Sequence, residues 1–349
     1  MAMAAGCHGS GRALCSRRRA ARPTAMAAVL VTAATAMVVA VSLLPGVHGY
    51  GVKEFLSAYT NPSVSRIEVK GDVTLDRDLP ELTRALTIVG VGSKRPVIHG
   101  RGKYSGIVAQ ADLTVSNVEF RSLVTRRVEG GGAITASGDK LVLDNCVFRG
   151  NRARRSEDPD SGSGGALNIA GPFFTISRCH FMGNRADGNG GAIRTLSDTA
   201  GSLTSCKFAS NVAGNRGGAV ALRPGTVHVD SCSFEGNKAG GEGAGALSCS
   251  EASCIVSNNV FKNNVATYKS GLGGAIRFYT EDEGSPALCK GNSFSGNRAN
   301  GNRKSDNLFI LLAEGETGLF EICDSKPPPR TLIDNEAATS VKYNACGRC

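Results

Sequence analysis

The feature that most constrains the fold of this chain is an internal repeat that occurs six times. Each copy opens with two small residues, an alanine and an aliphatic residue, as in Gly131-Gly132-Ala133-Ile134, and closes on a phenylalanine with an asparagine three positions later. The copies span residues 131–153, 164–186, 190–213, 217–239, 244–266 and 273–299. A repeat of about 26 residues is typical of a solenoid, in which each copy forms one coil and stacks on the next.

Within each copy the apolar positions recur with a period of two, which predicts strands, and not with the helical period of about 3.6. Each copy is anchored by its phenylalanine, and the aligned anchors are Phe148, Phe181, Phe208, Phe234, Phe261 and Phe294. Strands of coils that stack about 4.8 Å apart pair in parallel, and equivalent side chains then form ladders. The sequence therefore predicts an all-β right-handed parallel β-helix, a solenoid of roughly nine or ten coils.

An asparagine follows each anchor phenylalanine by three positions. Asparagine tolerates the left-handed conformation that a tight bend requires, so it suits a corner of the coil. We expect a buried structural ladder in which each side-chain amide bonds to its neighbour in the next coil. Its members are Asn151, Asn184, Asn211, Asn237, Asn264 and Asn297.

The alternation of a GGA(I/L/V) motif with an F-x-x-N motif resembles the repeats of chlamydial polymorphic outer-membrane proteins. It is similar, more loosely, to the pectate-lyase-like β-helix proteins. The resemblance covers roughly residues 113–299. In the bacterial family such repeats form an adhesive passenger that is followed by a membrane barrel, whereas here 50 residues without successive alternating strands follow Ala299. The resemblance therefore implies a repeat type and an adhesive role, and not a secretion route.

Residues 1–49 contain five arginines, no acidic residue and an apolar run over 25–44. A basic start, an apolar middle and a small-residue exit are typical of a secretory signal, so we expect a secreted or cell-surface protein. Two alternatives stay open. About 20 apolar residues also suit an uncleaved membrane anchor, and an organelle transit peptide would place the protein in an organelle lumen. The predicted organisation is a signal peptide or signal anchor over 1–49, the β-helix over 50–312, and a Cys/Pro-containing tail over 313–349.

The net charge gives little support to a nucleic-acid partner. Removing residues 1–49 takes five of the 40 basic residues and none of the 30 acidic ones, so the net charge falls from +10 to +5. Nucleic-acid binding favours a basic stripe interleaved with aromatic residues. The basic clusters at 126–127, 152–155 and 303–304 are scattered along the chain without neighbouring aromatics. We interpret them as solvated surface, predict no nucleic-acid partner, and expect membrane contact only through an uncleaved N-terminal apolar segment.

Two insertions between the repeat motifs carry acidic clusters. The clusters are Glu157, Asp158 and Asp160 in the first insertion and Glu281, Asp282 and Glu283 in the second. Insertions in solenoids form loops, which frequently lie on a binding face, and carboxylates are the ligands that calcium prefers. These loops are the positions at which we expect calcium if the chain binds a metal, and no other cofactor is expected. The alternative is that each is a solvated loop without a ligand.

The chain has twelve cysteines, two of them in the leader. Four occupy one ladder column, two residues before the anchor phenylalanine: Cys146, Cys179, Cys206 and Cys232. We expect these to be reduced, because side chains of one ladder point the same way and a small buried thiol packs well unpaired. An oxidising compartment would allow disulfides elsewhere. The candidates are Cys249 and Cys254, which face each other across a predicted bend, and Cys323, Cys346 and Cys349.

No set of residues forms a recognisable catalytic constellation. His99-Gly100 and Arg101-Gly102-Lys103 correspond to two motif elements of polygalacturonases, but no paired aspartates precede them, so we interpret them as a bend. The chain has no tryptophan to serve as a sugar platform. We therefore predict an adhesive, binding or structural role, with cell-surface or matrix glycans or proteins as partners and no catalysis. The alternative is a polysaccharide-acting lyase, hydrolase or epimerase of the pectate-lyase-like class.

Overall fold

The computed structural model describes residues 47–49, 51–156, 161–196, 198–280, 285–312, 320–324, 327–333 and 341–349. These residues belong to one compact unit, Gly46–Cys349. Residues 1–46 of the predicted signal segment 1–49 lie outside the described residues, whereas its last three residues, Val47–Gly49, form a strand that pairs with Arg66–Val69. Among the residues that are described, no helix is long and apolar enough to cross a bilayer.

Short strands form four parallel sheets along the described chain, here called sheets A to D. Sheet A has twelve strands: Val47–Gly49, Arg66–Val69, Leu86–Gly90, Leu113–Ser116, Lys140–Asp144, Phe173–Ser177, Thr199–Thr204, Gly225–Asp230, Ala252–Ser257, Ala287–Leu288, Phe320–Ile322 and Val341–Tyr343. Sheet B has nine: Val73–Thr74, Val97–His99, Glu119–Arg121, Val147–Arg149, His180–Met182, Lys207–Ala209, Ser233–Glu235, Val260–Lys262 and Ser293–Ser295.

The other two sheets complete the coil. Sheet C has nine strands: Ile107–Ala109, Ile134–Ala136, Leu167–Ile169, Ile193–Thr195, Val220–Leu222, Leu247–Ser250, Ile276–Thr280, Leu308–Leu312 and Thr331–Ile333. Sheet D has seven: Val124–Thr125, Arg152–Ala153, Arg185–Ala186, Val212–Ala213, Lys238–Ala239, Val265–Ala266 and Arg298–Ala299. Each repeat visits sheets C, A, B and D in that order before it returns to sheet C one coil further on. The predicted right-handed parallel β-helix is confirmed.

The anchor phenylalanines form a continuous stack inside the coil. The rings from Phe120 to Phe294 lie with successive centroids 4.7 to 5.2 Å apart and planes within 8° of parallel. This spacing is imposed by strand pairing, because Phe148 pairs directly with Phe181 in sheet B, and Phe181 with Phe208. Each stacked aromatic pair contributes about 0.5–1.5 kcal/mol beyond its burial.

The corner between sheets B and D is built from the six asparagines. The Oδ1 atom of Asn211 accepts from both the backbone N–H and the Nδ2 of Asn184, each at 3.0 Å. The Nδ2 of Asn211 donates to Oδ1 of Asn237 and to the carbonyl oxygen of Phe181, again at 3.0 Å. All six side chains are at most 3% exposed. Each amide therefore satisfies its polar atoms inside the protein, which buried polar groups require.

The two glycines that open each repeat are required for different physical reasons. Gly190 has a φ of 64°, in the left-handed region that favours glycine. Gly191 instead lacks space, because a Cβ atom there would lie 2.1 Å from the carbonyl oxygen of Gly218 in the next coil. The one alanine variant, Ala244, occurs at the first position and adopts a φ of 55°. The second position is glycine in every copy, since the clash with backbone cannot be relieved by a side-chain movement.

The ends of the solenoid differ from the prediction in extent. A helix, α1 (Val52–Thr60), buries Phe55, Ala58 and Tyr59 against the first coils. Beyond residue 312, the expected tail adds strands to sheets A and C, and Phe320 pairs with Val341. A short 3-10 helix, Arg303–Ser305, precedes the last long strand of sheet C. Sheet A consequently has more strands than the predicted number of coils, because these coils lack the repeat motifs but retain alternating apolar residues.

Replacing Asn211 by alanine should lower the free energy of unfolding by about 3–5 kcal/mol. The change removes the acceptor of the backbone N–H of Asn184 and of one of its two side-chain N–H groups, and it removes the donor to the carbonyl oxygen of Phe181. Each of these three losses costs about 1–3 kcal/mol when water does not replace the partner. Denaturant unfolding followed by circular dichroism measures the change. Thr175→Ala, on the outer face of sheet A, is the control and should shift stability by less than about 0.5 kcal/mol. Equal effects from the two substitutions would contradict the ladder's energetic role.

Candidate functional site

The two acidic clusters lie outside the described residues. These are Glu157, Asp158 and Asp160 in one insertion and Glu281, Asp282 and Glu283 in the other. Calcium binding by either loop therefore stays a prediction. Within the described part of the chain, no group of three or more histidine, cysteine, aspartate or glutamate side chains is placed to hold a metal ion.

Six cysteines form three disulfides in the structure. The pairs are Cys249–Cys254, Cys289–Cys349 and Cys323–Cys346. Sequence reasoning proposed the first pair and named Cys323, Cys346 and Cys349 without partners. Cys289 was not among the candidates, and the structure joins it to Cys349. The last two bridges tie the C-terminal segment to the final coils, where the repeat motifs no longer specify the pairing.

The four cysteines of the ladder column are free and buried. Each thiol donates to the carbonyl oxygen two residues earlier, as Cys179 does to Ser177 at 3.2 Å. The backbone N–H of Cys146 donates to the sulfur of Cys179 at 3.4 Å. Burial raises the pKa of the Cys179 thiol, which opposes formation of the reactive thiolate. These contacts describe a packing column and not a nucleophile.

The outer face of sheet A brings a serine, a histidine and an aspartate together. Ser202 pairs with His228 across neighbouring strands, and Asp230 follows His228 on the same face. Burial lowers the pKa of His228, and Asp230 opposes that shift. Burial raises the pKa of Asp230, but hydrogen bonds from Ser257 at 2.6 Å and from two other side chains outweigh it and lower the pKa. The carboxylate is thus held by donors other than His228.

A pocket beside sheet D near the first repeats is lined predominantly by basic side chains. It has a volume of ≈ 360 Å³. Its lining carries one acidic side chain and four basic ones: Asp78, Lys103, Arg126, Arg127 and Arg154. Backbone of Gly102, together with Ser105, Val124 and Thr125, completes the wall. We call this the basic pocket.

Strand register assembles the basic pocket. Thr125 pairs with Ala153 in sheet D, so the residues that follow them, Arg126 and Arg154, leave the sheet in adjacent coils. The N–H of Arg154 donates to the carbonyl oxygen of Thr125 at 2.9 Å. Lys103 comes from the tight turn after the strand Val97–His99, and that turn is pinned to the next coil by the N–H of Gly102, which donates to Ser122 at 2.7 Å.

Most of the positive charge in the basic pocket is not neutralised locally. Arg127 forms an ion pair with Glu81 at 2.8 Å. Asp78 accepts from the backbone N–H of Ser105 at 2.7 Å. The Nε of Arg154 is buried and has no partner within the described residues. The pocket therefore offers hydrogen-bond donors and a positive potential to whatever enters it.

A second, more open pocket of ≈ 610 Å³ lies near the C-terminal coils and is lined by Arg303, Lys304, Asp306, Arg330 and Thr331. Asp306 is only 1% exposed and accepts from Arg303 at 3.1 Å and from Arg330 at 2.9 Å. Both guanidinium groups are thus held by one buried carboxylate. Because Asp306 pairs with both arginines, this pocket leaves less positive charge unpaired for a ligand than the basic pocket does.

Comparison with known families agrees with this architecture. The family model described as the right handed beta helix region matches residues 105–311, which is more than half of the chain. The chain belongs to this β-helix family. No curated protein and no solved structure matches it. Membership of the family establishes the fold of this β-helix protein and does not assign an activity.

Sequence reasoning missed the basic pocket because its residues come from separate coils. Arg126 and Arg154 are 28 positions apart, and the sequence shows them only as scattered clusters. The signal was present in the repeat register, since both follow the closing motif of a coil by the same offset. His99–Lys103, by contrast, forms the predicted bend, with a φ of 59° at Arg101.

Thiol labelling of the full chain tests the packing of the cysteine column. In native buffer without reductant, we expect a maleimide reagent to modify at most Cys7 and Cys15, which belong to the predicted leader. In guanidinium chloride, still without reductant, four further thiols should react because the buried column becomes exposed. Mass spectrometry of peptides identifies them. Rapid native labelling of Cys179 or Cys206 would mean that the column opens in the folded protein.

Proposed function

We propose that this β-helix is a binding rod without catalytic activity, acting outside the cell or at its surface, and that its basic pocket binds an acidic glycan. The organelle lumen is the alternative location, if the leader is a transit peptide. The observation that carries the proposal is the convergence of Lys103, Arg126 and Arg154 on one concave site. The fold supplies a rigid support, and the pocket supplies the chemistry of recognition.

The chemistry of the basic pocket favours sulfate or carboxylate groups. Guanidinium groups bind such oxyanions through charge-assisted hydrogen bonds, which are about twice as strong as neutral ones. A volume of ≈ 360 Å³ lies in the range of about 300–1,000 Å³ seen for ligand sites, and suits one or two sugar units. Sulfated and uronic-acid polysaccharides carry both the anions and the repeated hydroxyl groups that such a wall would bind.

The shape of the rod supports an adhesive role. Twelve strands of sheet A at about 4.8 Å per step give a length of about 50 Å. Successive coils are joined by main-chain hydrogen bonds and by buried ladders, so a pocket on one coil keeps its geometry when the ligand pulls on it. A rod of this kind presents a site at a fixed distance from whatever holds its other end.

A polysaccharide-acting lyase, hydrolase or epimerase is the competing function. The observation in its favour is the row of Ser202, His228 and Asp230 on the outer face of sheet A. A catalytic histidine would need the carboxylate to orient it. Asp230 is instead bonded to Ser231, Ser257 and Asn258, so the binding function is preferred.

The double variant Arg126→Ser and Arg154→Ser should weaken binding of heparin or polygalacturonate at least tenfold. The double variant removes two of the four cations of the pocket. Each lost cation removes charge-assisted hydrogen bonds to the sulfate or carboxylate groups of the glycan, so the affinity falls. Surface plasmon resonance at about 0.15 M salt, near the physiological range, measures the change. The matched control is Arg223→Ser, an exposed arginine that follows the sheet C strand Val220–Leu222 and lies outside the pocket lining, and it should leave affinity unchanged.

Two outcomes would overturn the proposal. Equal losses from the control and the double variant would mean that binding is spread over the surface. Turnover of pectate, alginate or a related polysaccharide, abolished by His228→Ala, would establish the competing enzymatic function. The comparison of heparin with polygalacturonate distinguishes sulfate from carboxylate as the preferred anion.

A further inference from the structure

A second arginine site lies on the outer side of sheet C, far along the chain from the basic pocket. Arg277 belongs to the strand Ile276–Thr280, where Ile276 and Phe278 face the core. The alternation places Arg277 on the opposite side of the sheet, yet its side chain is only 6% exposed. It pairs in register with Ser248 of the preceding coil. A guanidinium on an outer face is ordinarily solvated, so its burial here needs a reason.

The polar atoms around Arg277 lack partners. Its Nε and Nη1 atoms are buried and donate to no acceptor among the described residues, and the hydroxyl of Ser248, which is 1% exposed, likewise has no hydrogen-bond partner there. The guanidinium lies over the ring of Tyr279, 4.8 Å from its centroid. The ring supports one face of the cation and does not bond the N–H groups of Nε and Nη1, which lie in the plane of the guanidinium. Two neighbouring buried side chains thus present donors and find no acceptor.

The charges that face Arg277 do not neutralise it. Arg216 and Glu242 form an ion pair with each other. The pKa of Arg277 is lowered to about 10, chiefly by burial and also by the positive charge of Arg216, while Glu242 opposes the shift. The Nε of Arg216 is also buried without a partner in the described chain. The cluster therefore holds two cations against one anion, with its innermost cation unpaired.

We propose that Arg277, Ser248 and the adjoining Arg216–Glu242 pair form a binding site for a small oxyanion, a carboxylate in the first instance. An isolated buried cation is strongly unfavourable unless an anion and hydrogen-bond acceptors compensate it. A carboxylate supplies both, because its two oxygens accept from the arginine N–H groups and from the serine hydroxyl. The ligand would be a free small acid or the carboxylate of a larger molecule.

The local backbone is compatible with such an occupant. Gly243 has a φ of 146°, and a Cβ atom there would lie 3.3 Å from Cδ of Arg277 and 2.1 Å from the carbonyl oxygen of Leu272. The glycine lets the corner pass close to the arginine stem without a side chain over it. Ser248 belongs to the fifth repeat and Arg277 to the sixth, while Arg216 and Glu242 lie just before the fourth and fifth repeats, and none of the four lines the basic pocket. It is independent of the proposed glycan function.

Thermal unfolding of the full chain at constant ionic strength tests the site, with sodium acetate replacing sodium chloride. We expect acetate to raise the Tm of the native protein in a saturable manner by about 2–4 °C. Arg277→Met should abolish that shift, and in chloride it should unfold at the same or a higher temperature, since it removes an unpaired buried charge. The control Arg223→Met changes an exposed arginine that follows the sheet C strand Val220–Leu222, and it should retain the acetate shift.

Further variants make each outcome decisive. Ser248→Ala should reduce acetate affinity measured by calorimetry at least threefold, and it tests the site even if Arg277→Met does not fold. The double variant Arg126→Ser and Arg154→Ser should keep the full acetate shift, which separates this site from the basic pocket. Sodium phosphate in place of acetate reports whether a tetrahedral anion is accepted. An absent shift in the native protein, or an undiminished one in Arg277→Met or Ser248→Ala, would overturn the proposal.

Discussion

Hydrogen bonding between successive coils in one fixed register is the constraint on which the rest of the structure depends. Parallel pairing places Phe148 over Phe181 and Asn151 beside Asn184, so every buried position must accept a copy of itself. Phenylalanine meets this condition because offset rings stack at the strand spacing. Asparagine meets it because one amide is both donor and acceptor, so a column of amides saturates itself. A residue with donors only cannot be repeated in such a column without leaving polar atoms unpaired.

The same register decides what the outer surface can do. Residues at equal offsets in neighbouring repeats meet in space although about 27 residues separate them in sequence. Arg126 and Arg154 therefore form one wall of a pocket, and Ser248 lies beside Arg277. The phenylalanine and asparagine ladders keep one residue type from coil to coil, whereas positions on the outer faces are free to differ. Function in this fold must arise from those departures from the repeat.

This division explains which features could be predicted from the sequence. The fold, the asparagine column and the glycine pairs follow from positions that every copy must keep, and the repeat exposes them. Arg277 could not be recognised, because its burial depends on the corner that passes over the outer side of sheet C and not on strand alternation. The bridge between Cys289 and Cys349 was missed for a related reason. The C-terminal coils lack the motifs that set the register, so the sequence does not show which strands they pair with.

The asparagine column and Arg277 differ in how far the protein satisfies their hydrogen bonds. The asparagine side chains and Arg277 are all polar and buried. Asn211 makes four hydrogen bonds within the protein, whereas the Nε and Nη1 of Arg277 make none to the described residues. A buried polar group that completes its hydrogen bonds is explained by folding alone. The Nε and Nη1 of Arg277 complete none with the described residues, which carries a free-energy cost, and the proposed carboxylate ligand would offset that cost.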